Sequence, residues 1–168
     1  MDVMDVLRIN LHVAHDAFMG TVSDLTQEMI DWLPPGIAHP IGERYLHCVV
    51  AEDWLVHGIS KGGAPLFTST WKVFDNFNLG ASSLEARAMK VDLNQVAEYA
   101  RAVFPASEEY LNSLPASEAE RIYDMSAVGY GNVPAPAWWS TFVIGHIHDI
   151  MGEISALKGC QGAKGYPY

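Results

Sequence analysis

Imidazole is the side chain to follow in this sequence. Seven histidines in 168 residues exceed ordinary usage, and neutral imidazole is the commonest metal ligand and titrates near neutral pH. His146 follows Trp139 and Val143 and precedes Ile150 and Leu157 at heptad-like spacing, which places it on the inward stripe of a helix. His148 lies about 200° further round the helix and cannot join it. Asp149, at i+3 from His146, can reach the same ion. His47 stands one turn into a nearly all-apolar segment, where a buried imidazole needs a hydrogen-bond partner or a metal. Spacing alone leaves two readings open: His47 and His146 as a divalent-metal pair, or two ordinary core histidines.

The remaining chemistry-bearing residues read as structural. Cys48 adjoins His47, but adjacent helical residues point about 100° apart, and a small buried thiol is the ordinary expectation. His12 and His15 share a flank of one helix near Asp16 and read as surface groups. His39 and His57 lie near loop ends with no partner that spacing can name. Met19, Met29 and the Trp138-Trp139 pair fit core or interface packing. The sequence has neither a glycine-rich phosphate loop nor a G-x-S-x-G elbow, so nucleophilic Ser/His/Asp catalysis is unsupported.

Four long helices must position these groups. Val3, Leu7, Leu11, Ala14, Phe18 and Val22 recur in steps of three and four, predicting a helix from Val3 to about Ser23. Thr26 caps a short second one that Pro34-Pro35-Gly36 ends. After Pro40 a buried helix is predicted from Ile41 to about Ile59. Asp92 caps another from Leu93 to about Leu114, which Pro105 should kink. Ser117 and Glu120 read as a capping box for one short turn. Gly129, Gly131, Pro134 and Pro136 mark irregular chain before the last helix, Ala137 to Lys158. Between Lys61 and Val91 the aromatics Phe67, Trp71, Phe74 and Phe77 suggest a segment packed over the bundle. With no alternating strand pattern, the expectation is one all-α domain over residues 1–168, an up-and-down four-helix bundle with two long connections.

Composition limits the partners. Ten Lys and Arg against twenty Asp and Glu give a net charge of −10, which opposes phosphate backbones and anionic membranes, so neither nucleic acid nor membrane is an expected partner. No apolar run reaches the 18 or so residues that cross a bilayer. Two cysteines cannot form a disulfide framework, and Met1-Asp2-Val3-Met4-Asp5 lacks the cationic start of a signal peptide, so the cytoplasm is the expected compartment.

Two blocks carry a resemblance. Pro34-Pro35-Gly36-(x)3-Pro40-Ile41-Gly42-(x)4-His47-(x)4-Glu52-Asp53 and Gly145-His146-(x)5-Gly152-Glu153-Ile154-(x)3-Lys158-Gly159 resemble the DinB-like (YfiT-like) family. That family is distinct from the DNA polymerase of the same name, and is related to the N-terminal domain of mycothiol-dependent maleylpyruvate isomerases and to bacillithiol transferases. The resemblance implies a four-helix bundle, frequently a homodimer, with a divalent metal (zinc, nickel, iron or manganese) and a low-molecular-weight thiol as cofactors. Family members bind the metal through one histidine of the second long helix and an H-x3-H pair on the last. His47 and His146 match the first two ligands, whereas the third position holds Ile150. Asp149 could replace the missing ligand, Glu52 or another acid could enter from the second long helix, or the site could be empty. The implied activity is a metal-dependent thiol transferase or isomerase. The alternative is a non-catalytic small-molecule or partner-binding dimer that has lost metal binding. Metal-assisted hydrolysis would need Glu153 or Asp149 as a base.

Overall fold

Two of the four long helices begin where the sequence supplies a side-chain cap, whereas the second and the last start after Pro40 and Pro134 without one. At the start of α1 (Val3–Val22), Asp2 accepts from the Asp5 N–H at 2.9 Å while Asp5 accepts from the Asp2 N–H at 3.1 Å, satisfying two donors that a helix start leaves free. The Thr26 hydroxyl caps α2 (Gln27–Asp31) through the Met29 N–H. The Asp92 carboxylate caps α5 (Leu93–Ser113) through the Gln95 N–H at 2.9 Å. The computed structural model that shows this describes residues 1–74, 77, 84–126 and 129–168; the part of the Lys61–Val91 connection at 75, 76 and 78–83 lies outside them.

The second long helix runs as α3 (Ile41–Asp53) and continues as π-helix through Trp54–Ser60. The last is likewise composite: α6 (Ala135–Ala137), a π-helical stretch Trp138–Gly145, then α7 (His146–Cys160). Helix α5 continues through Pro105, which is exposed, so water can reach the carbonyl that the ring leaves without a donor. Helix α3 packs on α5 and α7, and α1 packs on the same two. These four make the bundle, with Leu11, Phe18, Tyr45, Val49, Tyr99, Val103, Trp138, Trp139 and Ile147 in its core. The architecture is the expected all-α bundle.

Two local expectations fail. The Ser117-x-x-Glu120 box does not form: the turn there is a 3-10 helix, Ala116–Glu120, entered from Pro115 without a side-chain cap. The stretch expected to be irregular contains an antiparallel hairpin, β1 (Ile122–Asp124) with β2 (Asn132–Pro134), pairing Tyr123 with Val133. Each strand is three residues long and buries one of them, too few for alternation to register.

The long connection packs over the bundle as predicted. Phe74 and Phe77 are buried, and the Trp71 and Phe74 rings lie 5.6 and 5.1 Å from that of Tyr99. Short turns at Leu66–Thr68 and Lys72–Phe74 and a single-turn α4 (Leu84–Arg87) shape it. Among the described residues no helix is long and apolar enough to cross a membrane.

Candidate metal centre

Helix α3 brings His47 and α7 brings His146 to the same seam of the bundle. Their Nε2 atoms stand 3.1 Å apart, with ring centroids 5.1 Å apart and planes tilted by 49°. In the metal-free protein one Nε2–H donates to the lone pair of the other. The same spacing suits two cis ligands of one ion, because Zn–N bonds of about 2.0–2.1 Å put two nitrogens about 2.8–3.0 Å apart at octahedral angles and about 3.3–3.4 Å apart at tetrahedral ones. Both rings are half-buried, and Phe77 lies edge-on to His47 at 6.1 Å.

The surroundings keep both imidazoles neutral, as a metal requires. Burial first, then the neighbouring His146 and the charges of Arg44 and His39, pull the His47 pKa down to about 3. Burial also lowers that of His146; Arg44 adds to the effect, whereas Asp149 and Glu52 oppose it. The donor set therefore fits a divalent ion with two ligands. Asp149 is exposed and makes no hydrogen bond or ion pair to either ring, and Ile150 is 4 % exposed. No group of three or more His, Cys, Asp and Glu among the described residues is placed to hold an ion.

A family model described as the DinB superfamily matches residues 10–154. The chain belongs to the DinB superfamily. A crystal structure of a conserved protein from Enterococcus faecalis has the same fold, with a TM-score of 0.73 at 14 % identity over 96 % of this chain and 99 % of that one. No curated protein matches the sequence.

In this DinB bundle Cys48 and Lys158 have structural duties. Cys48 is fully buried, and burial, then the charge of Glu52, raises its thiol pKa well above the ordinary value; it is a neutral core thiol. His148 is exposed. Lys158, buried at the end of α7, donates to the Thr21 carbonyl at 2.7 Å and pairs with Asp24, placing a cation at the C-terminus of α1, where the helix dipole favours one.

Two networks escaped the sequence reading. His15, expected at the surface, is 3 % exposed. Its Nδ1 bonds Glu108 at 2.7 Å, and its Nε2 meets both Glu52 oxygens at 3.0 and 3.1 Å, so Glu52 is engaged by α1. Its ring stacks on Phe104 at 4.3 Å. Burial opposes a charge on His15, but attraction to Glu52 and Glu108 outweighs it and raises the pKa. His12 is exposed, as expected, and reaches the same Glu108. The second network centres on Asp53, fully buried, which takes bonds from His57 Nδ1 at 2.8 Å, the Tyr99 hydroxyl at 2.6 Å and the Phe67 N–H at 3.0 Å. The i,i+4 spacing of Asp53 and His57 was the available signal for that pair. Nothing in the sequence foretold the partners from α1 and α5.

Proposed function

We propose that this DinB protein binds a divalent cation of the zinc, nickel, iron or manganese class between α3 and α7, through His47 and His146. It would use that cation on a low-molecular-weight thiol or a carbonyl compound as a thiol transferase or isomerase. The observation that carries the metal reading is the approach of the two Nε2 atoms to 3.1 Å. Bound, such an ion polarises a thiol or carbonyl as a Lewis acid. The chain's own contribution is to hold two neutral rings at ligand spacing on two rigid helices, with the remaining positions left to water or substrate. The thiol and isomerase classes rest on the resemblance of the His47 and Gly145–Gly159 blocks to their families. Two unpaired cysteines, Cys48 and Cys160, suit a reducing, cytoplasmic compartment.

A second reading is favoured by Ile150, which stands buried where the family has its third ligand: a non-catalytic bundle that has lost its metal and binds a small molecule or a partner. Calorimetric titration of the metal-free protein with zinc separates the two. The metal reading expects one weak site in the native protein and none in His47→Ala. It expects Ile150→His to tighten the site by more than about tenfold, since even an outer-shell partner is worth 10–100-fold. A native protein that takes up no zinc while Ile150→His does would overturn the metal reading in favour of the second. We also propose that the chain is a homodimer, supported by an uncovered apolar stripe on α1 formed by Val3, Val6, Ile9 and Val13, 41 to 54 % exposed.

A further inference from the structure

Beside the imidazole pair stands a guanidinium whose donors are only partly used. Arg44 lies one turn before His47 on α3, about 4.5 Å along the axis, with its side chain 16 % exposed. Its Nε and Nη2 grip the two oxygens of Glu43 at 2.5 and 2.8 Å. Glu43 is itself buried, so this grip fixes the guanidinium plane. The opposite edge, spanning Nη1 and Nη2, makes only one bond, from Nη1 to Glu153 Oε2 at 3.3 Å. Of the five N–H groups of an arginine, two therefore have no partner among the described residues.

That free edge is the fork that takes a carboxylate through two parallel bonds. Its present occupant holds it loosely: Glu153 is 50 % exposed and uses one oxygen at a long distance. Glu153 follows His146 by seven residues on α7, with the apolar Ile150 between them. Arg44 and His47 on α3 thus face Glu153 and His146 on α7 along one seam, so a group on Arg44 and one on the imidazole pair are neighbours. The charge of Arg44 is already felt at both imidazoles.

We propose that Arg44 is an anion anchor for the ligand of this centre, with Glu153 as its exchangeable placeholder, and that the ligand class is a small organic carboxylate. This rests on the reading above only in taking the His47–His146 pair as the place where ligand and chain meet. The anchor itself needs no metal.

The test is an NMR titration of the imidazole nitrogens of the full-length protein, metal-free and with zinc. The probes are butyrate, inorganic phosphate and butylamine. Butyrate is expected to shift the His47 and His146 signals saturably. Glu153→Gln, which removes the competitor from a half-exposed position, is expected to tighten butyrate about threefold or more. Arg44→Gln is expected to weaken it about tenfold or more, the worth of a charge-assisted hydrogen bond. If Arg44→Gln fails to fold, the opposite-signed Glu153→Gln result decides. Phosphate binding as tightly as butyrate, butylamine binding as well, or no tightening in Glu153→Gln would each overturn the anchor. Zinc uptake without those butyrate effects sinks the anchor and spares the metal. Butyrate binding with both mutational effects but no zinc uptake does the reverse.

Discussion

His15 is held between the buried Glu52 and the half-buried Glu108, which His12 also reaches, and attraction to the two carboxylates favours its protonated form. Removing the imidazolium leaves like charges facing one another across its space. His15→Gln is therefore expected to cost about 3–5 kcal/mol at pH 6, the usual penalty for breaking a buried ion pair; urea denaturation measures it, and a loss under about 1 kcal/mol would show that the three groups are not charged as described. Folding raises the His15 pKa, so its contribution is complete below the ordinary histidine value of 6.5 and is lost as pH rises through the raised one. His47 works in the opposite direction. Its pKa falls from 6.5 to about 3 on folding, so below pH 6.5 the unfolded chain binds a proton that the folded chain refuses, and stability declines down to about pH 3. Urea midpoints of the metal-free protein are expected to peak between these arms. His15→Gln should flatten the alkaline arm and His47→Gln should shorten the acid one; an unchanged profile in either variant contradicts its assignment. Spacing placed His47 and His146 inside the bundle but left their pairing open, and only the family resemblance put them at one site, where the two Nε2 atoms stand 3.1 Å apart. The burial of His15 was not legible, because the His12/His15/Asp16 cluster looks like a solvated flank, and only Leu11 and Phe18, four before and three after it, hinted at burial.

At the scale of elements, the helices were legible from caps and three-four periodicity, whereas their winding was not. The π-helical stretches Trp54–Ser60 and Trp138–Gly145 follow α3 and precede α7 directly, on the two helices that carry the imidazoles. Such insertions re-phase a helix and concentrate at functional sites, yet their residues are ordinary helix and core formers, so composition does not announce them. Close approach between elements left a trace at Gly42, after Pro40-Ile41. A Cβ there would stand 3.1 Å from the Ile30 carbonyl oxygen of α2 and 3.3 Å from Val91 Cβ. Backbone cannot yield as a side-chain tip does. Gly42→Ala should therefore destabilise by about 1–2 kcal/mol through overpacking, although alanine alone favours a helix by up to about 1 kcal/mol. Thermal or urea unfolding decides: a more stable variant would mean that α2 moves aside freely. The hairpin near β1 shows the opposite limit, where strands of three residues gave the sequence too little pattern to read.

For the whole molecule, the net charge of −10 sets the terms on which two copies can meet. Val3, Val6, Ile9 and Val13 advance along α1 in steps of three and four and share one side of it, away from the core side of Leu7, Leu11 and Phe18. A stripe of this kind is self-complementary when two α1 helices pack about a two-fold axis. Burial of these side chains favours the pair, while the like charge of the two protomers opposes it. Salt should therefore strengthen association by screening the repulsion, the reverse of its effect on an interface held by ion pairs. Light scattering during gel filtration is expected to give twice the 18.5 kDa chain mass, with the dimer fraction rising as sodium chloride is raised. Ile9→Glu, at the centre of the stripe, should return the protein to monomer at every salt concentration. Its helical circular dichroism should not change, because residue 9 makes no core contact that the fold needs. A native chain that runs at 18.5 kDa at all concentrations, or a dimer that survives Ile9→Glu, would remove α1 as the contact.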